Sequence, residues 1–153
     1  MVRIVRYEQE LPISPEEAWR FFSTPTNLNE VTPPDLNFRI RSQVPDTIYQ
    51  GLMIVYTLRP MINIPFTWVT EITHVSEGRY FVDEQRKGPY RIWHHEHHFE
   101  ATPRGVCMTD ILTYDVGKWL PGRIASWLFV DKKVKEIFEY RRQRLDQIFQ
   151  TVK

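Results

Sequence analysis

The chain has 153 residues, of which 42% are hydrophobic and 25% are charged, and its formal net charge is +1. This length and balance predict one globular domain over 1–153, and the near-neutral charge argues against binding nucleic acid by bulk electrostatic attraction. The single cysteine, Cys107, excludes an internal disulfide and fits a reducing compartment. We find neither a signal-peptide pattern nor a run of roughly 20 apolar residues, so we expect a cytoplasmic protein.

The N-terminal part predicts one strand and two short helices. Alternating side chains from Val2 to Leu11 favour the strand. The motif Ser14-Pro15-Glu16-Glu17 supplies an N-cap, a first-position proline and a capping box, and it predicts a helix over 15–23. A second short helix is expected over 26–31, before Pro33-Pro34.

The middle of the chain predicts strands separated by turns. Alternation marks strands over 36–43, 52–58, 66–75 and 106–116, and the 66–75 pattern places Ile72 and His74 on one face. A hairpin over 81–99 turns at Gly88-Pro89, because glycine tolerates positive φ and proline fixes φ at a turn value.

The C-terminal part predicts one long helix. Apolar residues recur at spacings of three and four from Ile124 to Phe149. We assign its basic residues to a solvated face: Lys132, Lys133, Lys135, Arg141, Arg142 and Arg144. The order of elements predicts an α+β fold, in which a seven-stranded antiparallel sheet curves around the long helix and encloses a cavity.

The hairpin carries the main functional signal, a polar band inside an aromatic frame. Alternation places these residues on one face: Phe81, Asp83, Gln85, Trp93, His95, His97 and Phe99. Turns at Gly88-Pro89 and near Pro103 predict these opposed pairs: Asp83 with His95, Gln85 with Trp93, His97 with Asp110, and Phe99 with Met108. His94 and His98 fall on the other face, where we expect them to be exposed.

Three interpretations of Asp83, His95, His97 and Asp110 remain open from the residues. They can form a buried ion-pair network, or a polar floor that binds the head group of an apolar ligand. They can also form a metal site, with His95 and His97 as nitrogen ligands and a carboxylate as a third. A metal needs a firm third ligand and second-shell support. The sequence identifies neither clearly, so we expect no metal and no cofactor.

The whole chain resembles the START/Bet v 1-like superfamily, the SRPBCC domains with a helix-grip fold. The motifs are similar to those of a bacterial cell-division-inhibitor-like subgroup. They read Phe81-x-Asp83-x-Gln85, Gly88-Pro89-Tyr90, Trp93-x-His95-x-His97-x-Phe99 and Met108-Thr109-Asp110. The resemblance implies a cavity that binds a lipid, quinone or polyketide-like molecule. A few members, the polyketide aromatase/cyclases, catalyse reactions there.

The predicted function is therefore binding of a hydrophobic small molecule by a carrier or sensor. Predicted ligand-binding residues are Trp68, Ile72, Phe81, Asp83, Gln85, Trp93, His95, His97, Phe99, Met108, Asp110, Leu112, Trp127, Val134 and Phe138. The first alternative is a cyclase or dehydratase that uses the pairs Asp83–His95 or His97–Asp110. The second is a protein-interaction module in cell division or stress, which rests on the subgroup alone.

The stretch from Trp119 to Val130 is too apolar for an ordinary surface loop. We consider three roles for it: a lid that touches a membrane surface during ligand loading, a homodimer contact, or packing of the helix on the sheet.

Overall fold

The structure, a computed structural model, describes residues 2–61, 64–117 and 123–150. It consists mainly of an antiparallel sheet and a long helix. The strands are β1 (Arg3–Leu11), β2 (Arg39–Ile40), β3 (Met53–Met61), β4 (Ile64–Ser76), β5 (Tyr80–Lys87), β6 (Ile92–Thr102) and β7 (Gly105–Asp115). The α-helices are α1 (Pro15–Phe22) and α2 (Arg123–Gln150), and 3-10 helices span Pro25–Val31 and Pro34–Leu36.

The strands described form one curved sheet in the order β1-β7-β6-β5-β4-β3-β2. All six neighbouring pairs are antiparallel. The predicted α+β fold with seven strands is confirmed. The strand expected over 36–43 is reduced to two residues, because a 3-10 turn ends at Leu36 and Asn37 adopts a left-handed backbone conformation with φ 46°.

The helix start at Ser14 forms as its sequence predicts. The Ser14 hydroxyl accepts a hydrogen bond from the Glu17 amide at 3.1 Å. Helix α1 buries Ala18 and Trp19 against the sheet side of the core. The second short helix is present over Pro25–Val31, but as a 3-10 helix.

A β-bulge in β4 corrects the predicted alternation. The register between β4 and β5 shifts between Ile72 and His74. The extra residue reverses the faces beyond it, so Ile72 is buried whereas His74 is exposed and contacts the Thr73 hydroxyl. The prediction that Ile72 and His74 share a face is therefore wrong.

Helix α2 packs against one face of the sheet and against the 3-10 helices. The Phe138 ring stacks on Tyr7 of β1 at a centroid distance of 4.2 Å. Two ion pairs join α2 to the 3-10 helices: Lys133–Asp35 at 2.7 Å and Arg144–Glu30 at 3.2 Å. In the described part of the chain, no helix combines the length and apolarity needed to span a membrane.

We predict that Gly105→Ala strongly destabilises the fold. Gly105 has φ +143°, and a Cβ there would overlap the Leu11 carbonyl oxygen of the adjacent strand. We expect the free energy of unfolding to fall by about 3 kcal/mol or more, measured by urea denaturation.

The matched control is Gly78→Ala, which also has a positive φ, of +72°, but has open space around the position. Its cost is expected to be the backbone penalty alone, about 1–2 kcal/mol. Equal losses in the two variants would contradict the role of the Leu11 contact.

Candidate functional site

A cavity of about 220 Å³ lies between the sheet and α2. Strands β3 to β6 supply one side, and α1, the first 3-10 helix and α2 supply the other. Most of the lining is apolar or aromatic. The charged and imidazole side chains Asp83, His95, His97 and Arg141 lie together where β5 and β6 meet α2.

Of the fifteen predicted ligand-binding residues, all but Gln85 fall into three groups. Nine line the cavity: Trp68, Ile72, Phe81, Asp83, Trp93, His95, His97, Val134 and Phe138. Four others do not line it: Phe99, Met108 and Leu112 are packed in the hydrophobic core, and Asp110 lies behind the histidines. The side chain of Trp127 lies outside the described residues.

Gln85, also predicted to face the ligand, closes the β5–β6 turn instead. Its amide nitrogen donates to the Tyr90 carbonyl at 2.6 Å, and the Tyr90 amide donates to its side-chain oxygen at 3.1 Å. The ladder between β5 and β6 ends at Glu84 and His94, so the predicted pairing of Gln85 with Trp93 does not form. Gln85 consequently acts on the cavity only through the position of Tyr90, which lines it.

Sequence reasoning missed much of the helical side of the cavity. Phe21 and Phe22 of α1 and Leu28 of the first 3-10 helix line it, as do Tyr56 and Tyr90 from the sheet side. The apolar pairing of Phe21 and Phe22 was a signal in the sequence. These two residues indicated that one face of α1 points inward. They did not indicate whether that face packs in the hydrophobic core or lines the cavity.

A second polar spot lies on the sheet wall, away from the histidines. The Tyr56 and Thr70 hydroxyl groups lie 2.8 Å apart. The neighbouring Trp68 ring stacks near Tyr56 at a centroid distance of 6.0 Å. The indole nitrogen of Trp68 is buried and has no hydrogen-bond partner among the described residues. A buried N–H without a partner is unfavourable, because its lost hydrogen bond to water is not replaced.

Three neighbouring strands bring two carboxylates and two imidazoles together. Asp83 of β5 pairs with His95 of β6, and His97 of β6 pairs with Asp110 of β7, which confirms the predicted register. All four side chains are largely withdrawn from solvent, with 6% of His95, 4% of His97 and 1% of Asp110 exposed.

Some side-chain contacts join residues paired in the register, and others join diagonal neighbours. His95 Nε2 lies 3.1 Å from Asp110 Oδ1, and His97 Nε2 lies 2.8 Å from Asp83 Oδ2. His97 Nδ1 also lies 2.7 Å from Asp110 Oδ1, whereas His95 Nδ1 is 3.6 Å from Asp83 Oδ2. Diagonal neighbours on a sheet are within reach of long side chains. Diagonal hydrogen bonds therefore join His95 to Asp110 and His97 to Asp83, and the directly paired His97 and Asp110 are also in contact.

Arg141 of α2 completes the cluster. The sequence-based prediction that Arg141 lies on a solvated face is wrong. It is only 9% exposed. Its Nη2 lies 3.7 Å from Asp110 Oδ1 and 3.5 Å from His97 Nδ1, and its guanidinium lies over the Phe22 ring at 5.4 Å. The signal was its spacing, because Arg141 follows Phe138 by three residues and precedes Leu145 by four, on the buried stripe.

The charges in the cluster follow from these contacts. Burial raises the pKa of Asp110, but the charge of Arg141 and the hydrogen bonds from the histidines lower it more, to well below the ordinary value. The pKa of Asp83 is also lowered, because burial is outweighed by the hydrogen bond from His97 and the nearby cations. Both carboxylates are therefore ionised.

The two histidines differ in pKa. Burial lowers the pKa of His97, but its contacts with Asp110 and Asp83 raise it above the ordinary value. Burial lowers the pKa of His95, the neighbouring His97 lowers it further, and its carboxylate contacts do not compensate. His97 therefore carries a positive charge more readily than His95, and together with Arg141 it faces the two carboxylates.

The histidines on the other face of β6 lie at the surface. His94 contacts Glu84 at 2.7 Å and His98 contacts Glu96 at 2.9 Å. Both are partly exposed, with 34% and 33% of their side chains accessible. They take no part in the cavity wall.

The apolar stretch from Trp119 to Val130 is described only in part. Residues 118–122 lie outside the described residues, as do the side chains of 123–127. Leu128 and Phe129 are exposed, and Val130 is buried in the core beside β7. A membrane or dimer contact through this stretch stays a prediction.

No protein-family model matches this sequence, and no curated protein matches it significantly. Solved structures do match over nearly the whole chain. The protein Ms6760 from Mycobacterium smegmatis aligns with a TM-score of 0.69 and 15% identity, covering 98% of this chain and 92% of its own. The protein Ara h 8.0201 aligns with a TM-score of 0.59 and 16% identity, covering 95% of this chain and 98% of its own.

The chain therefore has the helix-grip fold. The helix-grip chain also aligns with the di-domain ARO/CYC protein StfQ from the steffimycin biosynthetic pathway, with a TM-score of 0.72 and 9% identity. That alignment covers 98% of this chain and 52% of StfQ. At these identities the comparisons establish the helix-grip fold, and the cell-division-inhibitor-like subgroup stays a prediction.

We predict that Asp110→Asn lowers the free energy of unfolding by about 3–5 kcal/mol near neutral pH, because Arg141 and His97 lose the buried anion that balances them. Urea denaturation measures the effect. The control, Asp46→Asn, removes the same charge from an exposed position and should change stability by less than about 0.5 kcal/mol. A similar small change in both variants would show that the cluster contributes little.

The lowered pKa of Asp110 also predicts that the loss of stability caused by Asp110→Asn depends on pH. The pKa of Asp110 is lowered on folding from an ordinary value of 3.8, so its stabilising contribution is present above that pH and is lost as the pH falls through the folded pKa. The stability difference between the wild type and Asp110→Asn should therefore be large near pH 6 and shrink below about pH 4. Urea denaturation across this range measures it, and a constant difference would contradict the predicted sign.

Proposed function

We propose that this helix-grip chain binds a hydrophobic small molecule that carries at least one oxygen acceptor, and acts as its carrier or sensor. The observation that carries the proposal is the largely apolar cavity of about 220 Å³, which Trp68 lines. The buried N–H of Trp68 has no hydrogen-bond partner among the described residues. Ligand sites in proteins combine an apolar lining with a few polar groups in this way.

The size and polarity of the cavity narrow the ligand class. Its volume is smaller than the roughly 300 Å³ of the smallest common ligand sites. A ligand with one ring or two fused rings therefore fits better than a long lipid. The ligand's apolar body would contact Ile54, Leu58 and Phe38, and its oxygen would accept from Trp68. The solved structure of StfQ, an ARO/CYC protein of a biosynthetic pathway, supports a cyclic, oxygenated ligand by analogy of fold alone.

We predict that Ile54→Trp abolishes binding of 1-tetralone, a two-ring ketone, because the larger ring fills the cavity that Ile54 lines. Calorimetric titration of the purified chain measures the dissociation constant, and circular dichroism checks the fold.

The matched control is Ile4→Trp, the same substitution on β1, where Ile4 is 71% exposed and lies outside the cavity lining. It should bind as the wild type does. Equal binding by the two variants, or no binding to the wild type, would refute the cavity as the ligand site.

The role of Trp68 is tested by comparing 1-tetralone with tetralin, which lacks the ketone oxygen. Trp68→Phe keeps an aromatic ring and removes the N–H. We expect it to weaken ketone binding about fivefold more than hydrocarbon binding, since one net hydrogen bond contributes about 1 kcal/mol. If Trp68→Phe weakens both ligands equally, Trp68 contributes only packing.

A further inference from the structure

The two imidazole rings in the cavity wall are held by the same carboxylate. Asp110 Oδ1 lies 3.1 Å from His95 Nε2 and 2.7 Å from His97 Nδ1. The remaining nitrogen of each ring faces Asp83, whose Oδ2 lies 3.6 Å from His95 Nδ1 and 2.8 Å from His97 Nε2. Two ring nitrogens and one carboxylate oxygen thus converge on one side of the cluster, while Asp110 orients both rings from the other.

The spacing of these three donors suits one metal ion. One donor atom of each residue lies within 4.8 Å of the other two. Ligands held at about 2.0–2.2 Å from a zinc-type ion lie roughly 3–3.5 Å from one another. The 3.6 Å between His95 Nδ1 and Asp83 Oδ2 exceeds a normal hydrogen bond but is close to this ligand separation. Small movements of the side chains would therefore complete the site.

We propose that Asp83, His95 and His97 bind one divalent transition-metal ion of the Zn²⁺ or Fe²⁺ class. Two histidines and one carboxylate on one side of an ion form a known facial arrangement that leaves coordination positions open. Metal-bound histidines usually donate their other N–H to a carboxylate or carbonyl, and Asp110 occupies that position for both rings. The third ligand and the second-shell support that the sequence did not identify are both present.

The open positions of the ion would face the cavity. Asp83, His95 and His97 line the cavity, whereas Asp110 does not. An ion held there would present its free positions to water or to an oxygen atom of a molecule in the cavity. His97 Nε2 lies 2.8 Å from Asp83 Oδ2. A metal ion binds the deprotonated ring nitrogen, so a proton carried there would leave to solvent as the ion enters.

The test is a calorimetric titration of the chelator-treated, full-length chain with Zn²⁺ alone, repeated with Co²⁺ to record its visible absorption. We expect one ion per chain, and we expect His95→Gln to weaken the affinity at least about 100-fold. The matched control is His98→Gln on the other face of the same strand, where His98 contacts Glu96. It should leave the affinity unchanged within about twofold.

A second variant covers the outcome in which His95→Gln fails to fold. Asp83→Asn keeps the shape of the partly accessible side chain and removes the charged oxygen, so it should weaken Zn²⁺ binding at least about tenfold while circular dichroism stays native. The proposal is overturned if Zn²⁺ does not bind the wild type, or if the folded variants bind it with unchanged affinity. Titration with 1-tetralone in chelating buffer measures ligand binding to the cavity in the absence of metal. The ligand-binding proposal and the metal-binding proposal can therefore fail independently of each other.

Discussion

Two carboxylates buried in the middle of a sheet impose the main constraint on this protein. An isolated ion in the interior is strongly unfavourable, so Asp83 and Asp110 need cations and hydrogen bonds at fixed positions. β6 supplies two imidazoles between them, and α2 supplies Arg141 from above the sheet. The register of three strands and the placement of the helix are therefore coupled through one set of charges.

Arg141 links this constraint to the packing of the helix. The buried stripe of α2 runs through Val134, Phe138, Leu145 and Phe149, and Arg141 occupies the gap within it. Rotating or sliding the helix would withdraw the guanidinium from Asp110 and place an uncompensated anion in the interior. Apolar packing alone tolerates small shifts of a helix more readily than such a charge contact does. The cluster thus selects one position of α2 over the cavity.

The sequence predicted the architecture well because its signals are local and periodic. The N-cap at Ser14, the turn at Gly88-Pro89 and the alternation in β6 all concern neighbouring residues, and they led to the correct strand register around His95 and His97. The bulge near His74 was missed although the sequence carries a sign of it, because Thr73 and His74 are both polar and Val75, three residues after Ile72, packs against the core.

The site was predicted less completely, since it depends on three-dimensional choices. Phe99, Met108 and Leu112 share the inward face with true lining residues, but their position along the strands puts them in the core. Arg141 was assigned to solvent because arginine is usually exposed, although its spacing indicated otherwise. Which nitrogen of His95 faces Asp110 depends on ring orientation, which no spacing in the sequence encodes.

The two sides of the cavity differ in how they are held together. Next to the histidines the contacts are buried and largely shielded from salt. At the other side, α2 is joined to the 3-10 helices by the surface pairs Lys133–Asp35 and Arg144–Glu30. Such exposed pairs contribute at most about 1 kcal/mol each and weaken as the Debye length falls to about 8–10 Å in physiological salt. Rising ionic strength therefore weakens the contacts between α2 and the 3-10 helices more than it weakens the buried contacts around the histidines.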